Sequence, residues 1–252
     1  MLLEGKRVIV SGGAHGIGAA VVRAFVREGA RVISTDIDDE VGRKVVAEAG
    51  AQGYQRCDVT SRPEVEAAFA RAAAELEGLD VLVNPAGVEA AWPAEEIPDE
   101  EWNRVFDIHV RGTFHTNQAA FRHLREGGGR IINFGSGAGI RGQRGSAHYS
   151  AAKGAIMAWT RTIAQEWARY GITAHSVVPA AWTQQYDQHR ARMTPEALAA
   201  HDRMMLSNVP LGGRLGDAER DIAPVVVFLA SDLSRFMTGQ AVVVDGGMIM
   251  LG

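Results

Sequence analysis

The stretch that decides the fold is SGGAHGIG at residues 11–18, which directly follows a short apolar run at residues 7–10 and opens into a helix-forming segment. In such a unit Gly12 permits a tight turn, Gly16 lets the backbone approach an anion, and Gly18 allows close helix packing. Free amides at the helix start can then hold phosphate oxygens. The loop is predicted to cradle a pyrophosphate, with an ordinary strand-to-helix turn as the alternative.

A second apolar run, residues 31–35, ends in Asp36, 18 positions after Gly18. An acid at this spacing accepts hydrogen bonds from the hydroxyl groups of an adenosine ribose and repels a 2′-phosphate. Asp36 therefore predicts NAD rather than NADP, unless it is only a solvated loop acid. His15 favours NADP instead, but the electrostatic effect of a neutral imidazole is weaker than that of a full carboxylate charge.

Further along the chain, β-branched runs alternate with longer Ala-rich stretches of helical period, which is typical of a parallel sheet covered on both faces. The pattern predicts an α/β fold, a single Rossmann-like doubly wound domain over residues 1–252 with a mainly parallel seven-stranded sheet. A helical insertion is predicted at about residues 183–216. The predicted strands are residues 7–10, 31–35, 54–57, 81–84, 130–134, 173–178 and 241–244.

Composition narrows the class of protein. Hydrophobic residues make up 46% of the chain, charged residues 22%, and the net charge is -4, so there is no basic footprint for nucleic acid or an anionic membrane. The longest apolar run, residues 222–230, is about half the roughly 20 residues that a membrane span needs. The single cysteine, Cys57, indicates a reducing, cytoplasmic setting. No metal site is expected, because the histidines lack ligand spacing.

Further motifs follow in order: DV at 58–59, NPAG at 84–87, Ser136, YSAAK at 149–153 and Pro179. Together with the glycine loop they resemble the short-chain dehydrogenase/reductase family over nearly the whole chain. The resemblance implies proton transfer coupled to hydride transfer, performed by Tyr149, Lys153 and Ser136.

The chemistry of these residue types agrees with that implication. Tyr149 and Lys153 are four apart in a helical stretch, so both project from one face. We expect the ammonium, with a positively charged nicotinamide, to lower the pKa of the phenol and make it a usable acid and base. Ser136 follows a strand and can hold the substrate oxygen. Alone, a Tyr-x-x-x-Lys pattern is equally that of a half-buried helix pair.

The resemblance also implies the cofactor contacts. Asp58 is expected at the adenine amino group with Val59 beside it, residues 84–87 beside the adenosine ribose, and Lys153 at the nicotinamide ribose. A homotetramer or homodimer, joined through the two longest helices, is implied as well. The full set of cofactor residues is Gly12, His15, Gly16, Ile17, Gly18, Asp36, Ile37, Asp58, Val59, Asn84, Ala86, Gly87, Tyr149, Lys153, Pro179, Trp182 and Thr183.

The chain departs from the family pattern at several positions. His109 stands where many relatives carry an Asn that helps a proton relay, so it is either a catalytic relay or a tolerated packing substitution. Pro85 and Ala180 replace a common Asn and Gly. Near the expected nicotinamide carboxamide, Trp182 and Gln184 stand where relatives carry an aliphatic residue and a Thr, and Thr183 lies one position early.

His148 has two interpretations: it either lines the pocket or lies in an exposed loop.

We therefore expect an oxidoreductase that transfers a hydride between NAD(H) and a small secondary alcohol or ketone. One alternative is an NADPH-dependent 3-oxoacyl-thioester reductase, which His15 favours. The other is a catalytically weak nucleotide-binding regulatory relative, which the departures at His109, Pro85 and Ala180 favour. Substrate identity does not follow, because irregular segments form that part of the site.

Overall fold

The computed structural model describes residues 1–182 and 184–250, except for the side chains at positions 184, 185, 188 and 189. Seven strands form one sheet in the order β3-β2-β1-β4-β5-β6-β9, and every pairing is parallel. The doubly wound prediction is thereby confirmed. The strands are β1 (Arg7–Ser11), β2 (Arg31–Asp36), β3 (Gly53–Arg56), β4 (Val81–Asn84), β5 (Gly129–Phe134), β6 (Ile172–Pro179), β7 (Ala181–Trp182), β8 (Gly216–Asp217) and β9 (Ala241–Val244).

Alternation along the strands divides the apolar side chains between two cores. Val8 and Val10 of β1 enter one core, which helices α1, α2 and α10 cover, whereas Ile9 enters the other, which α3, α5 and α7 cover. The helices are α1 (Gly16–Arg27), α2 (Asp39–Ala49), α3 (Arg62–Leu76), α4 (Asp99–Phe106), α5 (Gly112–Leu124), α6 (Gly137–Arg141), α7 (Ala147–Glu166), α8 (Gln184–Ala191), α9 (Pro195–Asn208) and α10 (Ala223–Ala230).

The predicted long helix after β4 is one continuous run in which α4 passes into α5 through a π-helical turn, Asp107–Arg111. Several helix starts follow the expected capping chemistry. Asp38 and Ser61 accept hydrogen bonds from the amides of Val41 and Glu64, at 3.1 and 3.4 Å.

The predicted insertion consists of α8 and α9. Its two ends are joined by a short parallel pair, in which Ala181 and Trp182 of β7 face Gly216 and Asp217 of β8. Sequence analysis missed this pair, because two-residue strands carry no periodic pattern. In the part of the chain that the structure describes, no helix is both long and apolar enough to cross a membrane.

One ion pair joins the amino ends of β1 and β4. The side chain of Arg7 donates to both carboxylate oxygens of Asp80, at 2.7 and 2.9 Å, and its backbone amide donates to the same carboxylate at 2.8 Å. Burial raises the pKa of Asp80, but the hydrogen bonds from Arg7 outweigh that effect and leave the pKa below its usual range. The pair therefore stabilises the fold above the unfolded-state pKa of Asp80, about 4.

We expect Asp80→Asn to lower the free energy of unfolding at pH 7 by about 1–2 kcal/mol, because it removes a charge-assisted hydrogen-bond acceptor. The difference from the unmodified protein should shrink as the pH falls below about 4, where Asp80 becomes protonated. Urea unfolding at several pH values measures it. The control is Asp232→Asn, at an exposed pair with Lys6. A difference that stays constant down to pH 2.5 would contradict the ion-pair account.

Candidate active site

The expected site residues follow the carboxyl ends of the central strands. The glycine loop comes after β1, Asp36 ends β2, residues 84–87 follow β4, Ser136 follows β5, and Pro179 ends β6. The strand order reverses direction between β1 and β4, and ligands of such sheets bind in the crevice at this switch point. The fold thus brings to one edge of the sheet residues that are up to about 170 positions apart in the sequence.

The glycine loop is a cradle from which side chains are excluded. Gly12 has a φ of +82°, and a Cβ built on it would lie 2.6 Å from the Cα of Ala86. A Cβ on Gly18 would lie 1.9 Å from the carbonyl oxygen of Gly12. The amide of Ala86 donates to the carbonyl of Ser11 at 3.0 Å, which joins the loops after β1 and β4. The amides at the start of α1 thus stay accessible to a pyrophosphate, so the cradle fits a dinucleotide.

Asp36 fastens the glycine loop to β2. Its Oδ2 accepts the amide of Ala14 at 3.0 Å, and its Oδ1 accepts the amides of Ile37 and Asp38 at 2.7 and 3.1 Å. Oδ2 therefore retains a lone pair that can accept from a ribose hydroxyl, whereas Oδ1 already accepts two amides. The side chain of Ile37 is 62% exposed beside this carboxylate.

His15 is paired with a second carboxylate. Its Nε2 lies 2.9 Å from Oδ2 of Asp38, and both side chains are exposed. The hydrogen bonds to Asp38, first from the amide of Val41 and then from His15, lower the pKa of that carboxyl. The pairing was not predicted from the sequence, in which the alternating acids Asp36 and Asp38 were the available signal.

The expected adenine contacts lie at the end of β3. One oxygen of Asp58 accepts the amide and the hydroxyl of Thr60, at 2.9 and 2.7 Å, and the other oxygen is not part of these bonds. Val59 packs against Gly112, and its carbonyl is 3.0 Å from Nδ1 of His115. Sequence analysis did not single out His115 as a support for this loop.

The three expected catalytic side chains converge. Ser136 caps α6 and accepts the amide of Ala138 at 3.2 Å, and its hydroxyl acts to lower the pKa of the Tyr149 phenol. Tyr149 lies in the first turn of α7, and Nζ of Lys153 is 5.7 Å from the centre of its ring. Nζ also donates to the carbonyl of Phe134 at 3.0 Å. One face of α7 therefore presents the phenol and the ammonium against the end of β5.

The pKa of Tyr149 is raised in the protein residues taken alone, whereas the expected lowering combines Lys153 with a positively charged nicotinamide and stays a prediction. Burial raises the pKa of Tyr149 and outweighs the hydrogen bond from Ser136, which acts in the opposite direction. Burial also lowers the pKa of Lys153 to about 8. Both groups are desolvated, so the ammonium is itself less favoured and the phenolate needs a further positive charge to form readily at neutral pH.

His109 lies in the π-helical turn and is buried. Its ring packs edge-on against Tyr149, with centroids 5.4 Å apart, and its Nε2 is 2.8 Å from the carbonyl oxygen of Val88. A Cβ on Gly87 would lie 2.5 Å from the imidazole, so Gly87 makes room for the ring. Burial, and then the charge of Lys153, lower the pKa of His109 to about 3.

The side chain of Asn84 does not lie on the wall beside the ribose, where it was expected. It is buried and donates to Thr116 at 2.9 Å, within a polar network that includes Asn133 and Asn117. Tight packing of polar groups under the sheet edge accounts for this inward direction, since a buried amide must be satisfied. A contact of Asn84 with the cofactor would have to come from its backbone.

The residues after β6 belong to the base of the insertion. The indole of Trp182 donates to Asp187 at 2.7 Å and packs against Tyr186, with Arg190 stacked 5.0 Å from the ring centre. Trp182 is thus engaged by α8. Thr183, which was also expected at the nicotinamide, lies outside the described residues.

The comparisons with known proteins decide the family. A family model described as enoyl-(acyl carrier protein) reductase matches residues 12–249. The chain belongs to the short-chain dehydrogenase/reductase family. It is an oxidoreductase of CH–OH and keto groups, and its cofactor is NAD(H) or NADP(H).

Relatives in this short-chain dehydrogenase/reductase family span the whole chain. L-fucose dehydrogenase of Bos taurus is 36% identical over 96% of this chain and 89% of its own. A 3-oxoacyl-(acyl-carrier-protein) reductase of Salmonella typhimurium is 34% identical and covers 100% of both chains. A variant of actinorhodin polyketide ketoreductase, solved with NADPH, aligns with a TM-score of 0.89 at 31% identity, over 96% of this chain and 97% of its own.

We expect Gly12→Ala to weaken NADH binding at least about tenfold, because a methyl group there collides with the backbone of Ala86 and deforms the cradle. Quenching of protein fluorescence by NADH measures the dissociation constant. Gly50→Ala is the matched control, since Gly50 has a φ of +69° but no atom within 4 Å of a built Cβ. Equal NADH affinity in the two variants would mean that the cradle does not hold the cofactor.

Proposed function

We propose that the chain is an NAD-dependent dehydrogenase/reductase of small secondary alcohols and ketones, with Tyr149 as the acid and base. The convergence of Tyr149, Ser136 and Lys153 beside the glycine cradle carries this proposal. The residues proposed to hold the cofactor are Gly12, Gly16, Gly18, Asp36 and Asp58, with the others expected from the sequence around them. We also treat residues 1–252 as one catalytic unit.

Bound nicotinamide supplies or accepts the hydride. In the oxidative direction the Tyr149 phenolate takes the proton of the substrate hydroxyl, and in the reductive direction the phenol returns it. Ser136, whose hydroxyl acts to lower the pKa of the phenol, can donate to the substrate oxygen as charge develops there. The buried ammonium of Lys153 is held by the carbonyl of Phe134, and it favours the phenolate through its charge.

The preference for NAD rests on the charges around the adenosine ribose. The carboxylate of Asp36 ends β2, and Asp38 lies two residues further on, so a 2′-phosphate would meet two negative groups. His15, which favours NADP, is paired with Asp38 at 2.9 Å. Its partial positive charge is directed to that carboxylate, which supports NAD.

We propose that His109 acts by packing and not as a titrating relay. With a pKa lowered to about 3 the imidazole is neutral throughout the working pH range, and its Nε2 is engaged by the backbone of Val88. The imidazole ring packs edge-on against Tyr149. Because Gly87 lies close to the imidazole, the ring has little room to move.

A second candidate is an NADPH-dependent 3-oxoacyl-thioester reductase. The full-length likeness to a 3-oxoacyl-(acyl-carrier-protein) reductase favours it. The complete set of Ser136, Tyr149 and Lys153 supports either enzyme over a catalytically weak regulatory relative. The preference for NADH or NADPH distinguishes this second candidate from the proposed NAD-dependent dehydrogenase/reductase.

We further propose a homotetramer or homodimer in a cytoplasmic setting. A cavity of about 570 Å³ opens between the continuous α4–α5 run and α7, where a second copy of the chain would pack. Apolar side chains of both elements line it, and Arg111 and Asp107 add both signs of charge, which suits a two-fold, self-complementary contact. The apolar lining residues are Phe106, Val110, Phe114, Ile156 and Trp159.

Tyr149→Phe is expected to lower kcat by about 100-fold or more, because it removes the only proposed proton carrier. NAD binding should change little, since the ring remains. An NAD-coupled panel of sugars, steroids, cyclic alcohols and hydroxyacyl thioesters finds the substrate, and calorimetry gives the NAD dissociation constant. Tyr170→Phe, the same change after the far end of α7, is the control. Turnover retained by Tyr149→Phe would overturn the acid/base assignment.

The cofactor preference is tested by kcat/KM with NADH and NADPH. We expect the unmodified enzyme to favour NADH, and Asp36→Asn to raise the NADPH-to-NADH ratio by about tenfold, because removal of a charge relieves repulsion of the 2′-phosphate. Asp232→Asn should leave the ratio unchanged. A strong preference of the unmodified enzyme for NADPH would instead establish the thioester-reductase candidate as the better one.

A further inference from the structure

His148 is the residue that precedes Tyr149 in the first turn of α7, and its side chain is 0% exposed. The expectation of an exposed loop histidine is therefore wrong. Among the residues that the structure describes, neither ring nitrogen has a hydrogen-bond partner. A buried polar group without a partner is destabilising, whereas an apolar side chain of similar size would fill the same space without that cost. Packing alone does not account for an imidazole here.

The charged group that faces this imidazole is Glu101 of α4. Oε1 of Glu101 lies 3.6 Å from Nε2 of His148, beyond hydrogen-bond length but within ion-pair range. Arg104 donates to both oxygens of Glu101, at 2.7 and 2.8 Å. These bonds hold the pKa of Glu101 below its usual range, so the carboxylate is charged and fixed in direction. A buried imidazole is thus set against an oriented negative charge.

The helix that carries Glu101 also contacts the first turn of α7 at a second point. α4 continues through the π-helical turn to His109, whose ring packs against Tyr149. Two adjacent residues of α7, His148 and Tyr149, are therefore contacted by two points of one continuous helix, Glu101 and His109. This arrangement fixes the first turn of α7 in both position and rotation.

We propose that Glu101 and His148 are a positioning pair that holds the Tyr149 phenol in register with Ser136 and Lys153. The proposal rests on the proposed function, in which Tyr149 is the acid and base. The attraction between the Glu101 carboxylate and the His148 imidazole draws the first turn of α7 toward α4. A displacement of about 1 Å at a reacting group is enough to slow a reaction markedly.

The test compares Glu101→Gln, His148→Leu and the double variant with the unmodified enzyme, on the substrate found in the panel. Glu48→Gln, in the exposed Lys44–Glu48 pair, is the matched control. We expect each single variant to lower kcat by about 5- to 20-fold with KM for NAD unchanged. The double variant should be no slower than the slower single variant, because the two residues act as one unit.

A spectroscopic readout needs neither substrate nor cofactor. The chain has four tyrosines, so ¹³Cζ-labelled tyrosine gives four signals, and Tyr149→Phe identifies the one from Tyr149. We expect this signal to shift in Glu101→Gln and in His148→Leu, because the position of the phenol relative to His109 and Lys153 changes, and to stay unchanged in Glu48→Gln. A role in stability alone would lower the thermal midpoint and leave the Tyr149 signal of the folded protein in place.

An unchanged kcat in both single variants, an unmoved Tyr149 signal, or losses that multiply in the double variant would each overturn the pair. These results are distinguishable from failure of the proposed function. If Tyr149→Phe is inactive and Glu101→Gln is normal, only the pair is wrong. If Tyr149→Phe retains turnover, the assignment of Tyr149 itself is wrong.

Discussion

The close approach of the chain to itself at the carboxyl edge of the sheet is the constraint on which the rest of the site depends. Gly12 leaves no space for a side chain beside Ala86, and Gly18 leaves none beside the carbonyl of Gly12. Because the loops after β1 and β4 meet here, the amides at the start of α1 remain accessible, and Asp36 can bond the loop from β2. The same edge carries Ser136, so the cradle and the catalytic groups share one crevice.

Desolvation governs the chemistry of that crevice. Burial raises the pKa of Tyr149, lowers that of Lys153 to about 8 and lowers that of His109 to about 3, so the site disfavours charge on all three. In such surroundings each remaining charge acts more strongly than in water. A positively charged group brought next to Tyr149 would therefore have a large effect on its ionisation, which couples proton transfer to the state of the ligand.

Much of this architecture could be predicted from the sequence, because it is encoded locally. Short β-branched runs predict the strands, period-3.6 stretches predict the helices, and the glycine spacing predicts the cradle. What could not be predicted depends on tertiary contacts. The burial of His148 against Glu101 requires α4 to pack on α7, and the inward direction of Asn84, at the end of β4, requires its partner Thr116 on α5. The direction of the Tyr149 pKa follows from burial, which no spacing rule reports.

We expect one crevice to hold the dinucleotide and to direct its reactive end at Tyr149. The decisive test is a crystal structure of the chain with NAD. We expect the adenosine ribose at Asp36, the pyrophosphate over the loop that contains Gly12 and Gly18, and the nicotinamide beside Tyr149 and Lys153. A dinucleotide bound elsewhere, or with its nicotinamide directed away from Tyr149, would contradict this expectation.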